Sequence, residues 1–116
     1  MANKFTNRIL NIEDNRIFNL YTNENNVRSI VDSIIITNTA ASNDADINLF
    51  IQNSNGTYYI TYNSTILSGN ILSFNKPISL LTGDSIKMQI LNAKEYNTTD
   101  VISATASTFL SILEVQ

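Results

Sequence analysis

Apolar and polar positions along this chain alternate with a period of two, and polar clusters break the alternation about every ten residues, the spacing expected of an all-β sandwich or barrel. A first strand is predicted over Phe5–Ile12 and a second over Arg16–Tyr21. The cluster Thr22-Asn23-Glu24-Asn25-Asn26 reads as a loop, because Asn favours turns. A long strand follows over Val27–Asn38. There Ile30, Ile34 and Ile36 share one parity, with Asp32 interrupting, while Val31 and Ile35 take the other. A strand that is apolar on both faces belongs in the middle of a sheet or under a neighbour.

Thr39–Asp46 reads as a second loop, and Ile47–Gln52 as a strand closed by Asn53-Ser54-Asn55-Gly56. That Asn-Gly step is a strong hairpin signal. Thr57–Ile66 returns from it, with Tyr58, Ile60 and Tyr62 on one face and Tyr59 and Thr61 on the other. Ser68-Gly69-Asn70 marks a turn into a short strand over Ile71–Asn75. Pro77 limits Lys76-Pro77-Ile78 to an edge or a connection, since proline donates nothing to a ladder. The turn Leu81-Thr82-Gly83-Asp84 leads into Ser85–Leu91, where Ile86, Met88 and Ile90 alternate with Ser85, Lys87 and Gln89. After a polar loop over Asn92–Asp100, a last strand is predicted over Val101–Val115. It sets Phe109, Leu113 and Val115 on one parity and Leu110 and Ile112 on the other. One helical turn near Ala93-Lys94-Glu95-Tyr96 is the most the pattern allows; Thr and Ser disfavour a helix over Ala104–Leu113. The expectation is a single antiparallel β-sandwich domain over residues 1–116, jelly-roll or immunoglobulin-like, with about eight strands. Residues 1–14 serve either as its first strand or as an N-terminal arm.

Composition narrows the function. Asn, Ser and Thr make up 42 of the 116 residues, whereas only 15% are charged. There is no Cys, which removes disulfides, zinc-thiolate sites and thiol nucleophiles. There is no His, which removes the commonest general base and metal ligand. A net charge of −3 argues against nucleic-acid binding by phosphate neutralisation. No run approaches the roughly 18 apolar residues of a membrane-spanning helix, and no apolar core follows the basic start as in a signal peptide.

The remaining chemistry is thin. Asp32 stands inside an apolar strand, and its simplest reading is a solvent-facing residue or a partner of Arg28. Asn43-Asp44-Ala45-Asp46 spaces oxygen ligands at alternate positions but lacks the glycine and bidentate acid of a calcium loop. Gly83-Asp84 lacks the glycine-rich cradle and Lys-Ser/Thr pair that hold phosphates. Tyr58, Tyr59, Tyr62, Phe74 and Tyr96 could stack on sugar rings, although ordinary packing is the simpler use. No catalytic residue, cofactor or metal site is expected.

Four segments in order carry a resemblance: Val27-Arg28-Ser29-Ile30-Val31 to Ile36-Thr37-Asn38-Thr39, Ile47-Asn48-Leu49-Phe50-Ile51, Leu81-Thr82-Gly83-Asp84-Ser85-Ile86-Lys87-Met88-Gln89, and Leu110-Ser111-Ile112-Leu113-Glu114-Val115. Together they resemble small virion structural proteins of tailed bacteriophages over roughly residues 15–116. The loop Asn23-Glu24-Asn25-Asn26 departs from the Pro-Ala-Gly type of turn that such proteins carry there. The resemblance implies a non-enzymatic β-sandwich used in many symmetric copies on a virion. A capsid decoration protein is expected, with a neck, tail or fibre accessory protein, or a carbohydrate-binding adhesion module, as the alternatives. The implied partners are other copies of the chain, as a trimer by preference, and virion proteins such as the major capsid protein. An uncharged polar surface fits that use, since few ions need desolvating on contact. Phe5, Ile9, Ile12, Tyr58, Tyr62 and Phe109 are the candidate interface residues.

Overall fold

The computed structural model describes residues 3–98 and 103–116. Nine strands form two antiparallel sheets, and no helix occurs among the described residues. In chain order they are β1 (Lys4–Ile12), β2 (Phe18–Thr22), β3 (Arg28–Asn38), β4 (Ala45–Asn53), β5 (Gly56–Ile66), β6 (Ile71–Phe74), β7 (Ile78–Leu81), β8 (Ser85–Ile90) and β9 (Ala106–Val115). One sheet, here sheet A, runs β1-β9-β3 and ends in β6 and β7, which pair with successive halves of β3. The other, sheet B, runs β2-β8-β4-β5. The chain stays within a sheet only at β4–β5 and β6–β7; every other connection crosses between sheets. That winding is a jelly roll. It decides between the two sandwich types the sequence left open, with β6 and β7 acting as one edge strand broken at Pro77.

The core lies between the sheets. Val31, Ile34 and Ile36 of β3, Leu110 and Ile112 of β9, Ile47 and Leu49 of β4, and Ile86, Met88 and Ile90 of β8 are all buried there. The alternation in β8 is as expected: its three apolar residues face inward and Ser85, Lys87 and Gln89 outward. The two-faced apolar strands are central, β3 lying between β9 and β6/β7, and β9 between β1 and β3.

Several boundaries move for local reasons. β2 starts at Phe18, not Arg16, because the Asp14 carboxylate accepts the Arg16 backbone N–H (3.1 Å) and its guanidinium (3.0 Å), curling residues 14–16 into a turn. β4 starts at Ala45, since the Asp46 carbonyl accepts the Leu91 N–H at 2.7 Å and Ala45 is buried. The hairpin loop is Ser54-Asn55, with Asn53 opposite Gly56. Gly56, at φ 146°, takes the positive dihedral after the turn. The turn around Ala93–Tyr96 is not helical. Of the last predicted strand, Ser103–Thr105 precede β9, and Val101 and Ile102 lie outside the described residues, as does Asp100.

Asp32 is a bulge. β3 pairs Val31 with Ile112 and Ser33 with Ser111, so Asp32 has no opposite residue on β9. The extra residue reverses parity, so that Ser29 and Val31 point inward before it and Ile34, Ile36 and Asn38 after it. The bulge explains the mixed parity of the β3 isoleucines, and it places the Asp32 side chain in solvent. Asp32 makes no ion pair with Arg28; among the described residues the ion pair is Arg16–Asp14.

Candidate functional site

The outward face of sheet A is built from registered rows. Phe5 of β1 stands opposite Leu113 of β9, and Leu113 opposite Ile30 of β3. Two residues further along, Asn7, Ser111 and Ser33 form a polar row. Beyond it Ile9, Phe109 and Ile35 form a second apolar row. Phe5 is 80% exposed, Ile9 71% and Phe109 36%, while Leu113, Ile30 and Ile35 are half-buried among their neighbours. Leu81 and Ile71, both exposed, lie at the far edge of the same sheet. Large apolar side chains thus stand in two rows on this outer face.

Sheet B presents a different face. Its cross-strand rows include Asn19–Lys87–Phe50 and Gln89–Asn48, with the Lys87 ammonium donating to the Gln52 side chain at 2.7 Å. The exception is aromatic. Tyr59 lies directly opposite Phe50 and covers it, with ring centroids 5.4 Å apart, and Tyr62 meets Tyr59 edge-on at 4.9 Å. Tyr62 itself is 68% exposed. Two shifts of register in β5 place this cluster, and Asn63 occupies one of them at φ 49°, where Asn is better tolerated than most residues. The Asn63 N–H donates to the Asn48 side chain at 2.7 Å and fixes the irregularity.

Two recesses flank the sandwich. One, of about 620 Å³, lies between the β5 and β6/β7 edges and is lined by Ile51, Tyr58, Ile60, Phe74, Pro77 and Ile78. It is where the core reaches the surface. The other, of about 460 Å³, is polar and includes Arg8, Tyr21, Glu24, Asn26 and Glu114. The Tyr21 hydroxyl donates to Glu114 at 2.6 Å and lies 2.8 Å from the Ser29 hydroxyl, and the Asn26 amide also donates to Glu114. Arg8 lies over the Tyr21 ring, 5.6 Å from its centroid. Burial, reinforced by the bond to Glu114, pushes the Tyr21 hydroxyl above the ordinary tyrosine range.

No protein-family model matches the chain, and no curated protein does. Among solved structures it is similar to the CBM22-1 xylan-binding domain from Paenibacillus barcinonensis Xyn10C. The two are 18% identical over 90% of this chain and 69% of that one, with a TM-score of 0.43.

The six candidate interface residues therefore separate. Phe5, Ile9 and Phe109 come together on the outward face of sheet A. Tyr62 joins the aromatic cluster of sheet B, and Tyr58, 71% exposed, stands at the rim of the apolar recess. Ile12 is a correction. It is fully buried against the chain's own core at the end of β1, opposite Ala106, so no second molecule can reach it. Residues 4–12 as a whole pair with β9 of the same chain. The further aromatic candidates are scattered: Phe74 lines the recess, and Tyr96 lies under the Arg16 guanidinium, 3.7 Å from ring centroid to Cζ. Leu113, Ile30 and Ile35 complete the rows but were not singled out from sequence. The sequence pattern sets Leu113 on the same face as Phe109 but Ile30 and Ile35 on opposite faces, and the Asp32 bulge is what brings those two isoleucines to one face.

Several of the acids are occupied structurally. Asp14 is held below the usual carboxylate range by hydrogen bonds from Arg16. Asp84 accepts from the Leu81 N–H and the Asn53 amide, and Asp46 from the Thr65 hydroxyl. Among the described residues, no three His, Cys, Asp or Glu side chains converge as metal ligands would.

Proposed function

We propose that this chain is a non-enzymatic structural subunit of a bacteriophage virion, a capsid decoration protein that works as a symmetric homo-oligomer and contacts its neighbours through the outward face of sheet A. The two apolar rows, Phe5·Leu113·Ile30 and Ile9·Phe109·Ile35, are the observation that carries this reading. A monomer in water would expose both, whereas a protein lattice would cover them. The four resembling segments supply the virion context. They are β3, β4, β8 and β9 with their turns, the central pair of each sheet. A neck, tail or fibre accessory protein would use the same surface against a different partner.

The test is co-sedimentation of the purified protein with phage capsids that lack it. The native chain should saturate the capsids, and Phe109→Asp, placed in the middle of the second row, should abolish binding while keeping the fold. Failure of the native chain to bind capsids or other phage particles would overturn the virion assignment.

The exposed tyrosines of β5 favour a second reading, a carbohydrate-binding module. Tyr58 and Tyr62 would supply ring faces, and the amides of sheet B the polar contacts. Glycan affinity that is lost in Tyr62→Ala and kept in Phe109→Asp would select it.

A further inference from the structure

We propose that the free edge of β1 pairs antiparallel with β1 of a second copy of this chain, about a two-fold axis passing through Asn7. The inference rests on the homo-oligomeric part of the reading above and names the occupant of one edge. Each sandwich has four outer edges, and three of them are blunted. β2 is five residues long and shifts register between Asn19 and Tyr21. β5 shifts register twice, and β6/β7 is broken at Pro77. Irregular or interrupted edges of this kind resist pairing with another chain. β1 has neither a register shift nor a break, and its two charges, Lys4 and Arg8, share one face. Its nine residues form an unbroken ladder with β9 on one side, and β9 is its one ladder partner among the described residues. Its outward side chains Phe5 and Ile9 are among the most exposed large apolar groups of the fold.

The register follows from side-chain matching. With the axis at Asn7, Phe5 of each copy faces Ile9 of the other, Asn7 faces Asn7, and Asn3 faces Asn11. On the inward face, Lys4 faces Leu10 and Thr6 faces Arg8, so no charge meets a like charge. Moving the axis to Thr6 would set Lys4 against Arg8 and Phe5 against Asn7. Moving it to Arg8 would set two guanidinium groups opposite each other and Ile9 against Asn7. Opposed like charges destabilise a strand pair and apolar pairs stabilise it. The Asn7 register also joins the rows: Ile30·Leu113·Phe5 of one copy continues into Ile9·Phe109·Ile35 of the other. Arg8, the charge nearest the axis, reaches over its own Tyr21 into the recess that Glu24 and Glu114 also line. A strand edge that matches itself in this way is satisfied by a two-fold pair, so the basic unit is a dimer instead of the trimer that the resemblance favours.

The chain has no cysteine, which makes the test clean. Light scattering on the native chain should give twice its 12.9 kDa mass. The Asn7→Cys variant should convert to a disulfide-linked dimer on mild oxidation. Opposed residues of an antiparallel pair lie about 4.5–5.5 Å apart at Cα, within disulfide reach. The Asn11→Cys variant should stay reduced, because in this register the two copies of that position are separated by about 27 Å of strand. A native monomer, a trimer, or cross-linking at position 11 as readily as at position 7 would overturn the proposal. Dimers that ignore capsids would leave it standing and overturn the virion assignment; a monomer that binds capsids would do the reverse.

Discussion

Replacing Asn38 with alanine should be among the most damaging substitutions of a polar residue in this protein. Asn38 ends β3 and is buried. Its amide donates to the carbonyls of Asn43 (2.8 Å) and Ile66 (2.9 Å), and its side-chain oxygen accepts the Ala40 N–H at 2.9 Å. One side chain thus ties the end of β3 to the following loop and to the end of β5 in the opposite sheet. Three hydrogen bonds at about 1 kcal/mol each put the loss near 3 kcal/mol. Unfolding entropy of about 2.1 cal/mol/K per residue over this length converts that into a fall of about 12 °C in Tm. Thermal melts by circular dichroism measure it directly. Asn75→Ala, at an exposed site, is the control and should stay within about 0.5 kcal/mol of the native chain. Asn38→Asp adds a check on mechanism. Its carboxylate would face two carbonyl oxygens with no proton to donate, so the variant should be weakest at neutral pH. It should recover as pH falls through the carboxylate range, because the folded state favours the protonated form. An Asn38→Ala melt within about 2 °C of the native protein would refute the reasoning, since the bonds would then contribute almost nothing.

Tyr21→Phe removes the hydroxyl shared by Glu114 and Ser29, and should cost about 1–3 kcal/mol in denaturant unfolding. The raised Tyr21 pKa also sets a sign for the native chain: this group's stabilisation is fully present below the ordinary tyrosine range and declines as pH rises through and beyond it, a decline Tyr21→Phe should lack. Asn63→Val should lose about 1–2 kcal/mol, because a β-branched side chain is strained at φ 49°, while Asn63→Gly should keep most of the stability; equal melts for the two would count against the bulge geometry.

What sequence could reveal was decided by how locally each feature is encoded. The alternation of Ile86, Met88 and Ile90 marks β8 without help, because side-chain direction repeats every two residues. Pro77 marks an edge for the same local reason: it lacks an N–H. The Asp32 bulge was hidden, since one extra residue leaves no compositional trace beyond a confused parity. The same holds for Ile60 and Asn63 in β5, where tyrosines that seemed to alternate cleanly are split by two shifts of register. Ile12 has the opposite parity to Phe5 and Ile9, so alternation alone turns it to the other face. Its burial opposite Ala106 shows that this other face is the core.

The candidate surface lies one level further from the sequence. Periodicity says that Phe5 and Ile9 share a face, and that Phe109 and Leu113 share a face. It cannot say that Phe5 meets Leu113 while Ile9 meets Phe109, because that depends on joining strands from opposite ends of the chain. Once joined, the order apolar, polar, apolar across β1, β9 and β3 is a property of the sheet and of no single strand. The abundant asparagine divides in the same way. Asn38 and Asn23 are buried and tie loops to strands, Asn23 reaching the Leu80 carbonyl at 3.0 Å. Asn7 and Asn11 stay exposed along the free edge of β1. Composition counts both kinds alike, yet the first kind stabilises the fold and the second sets polar amides beside the exposed Phe5 and Ile9.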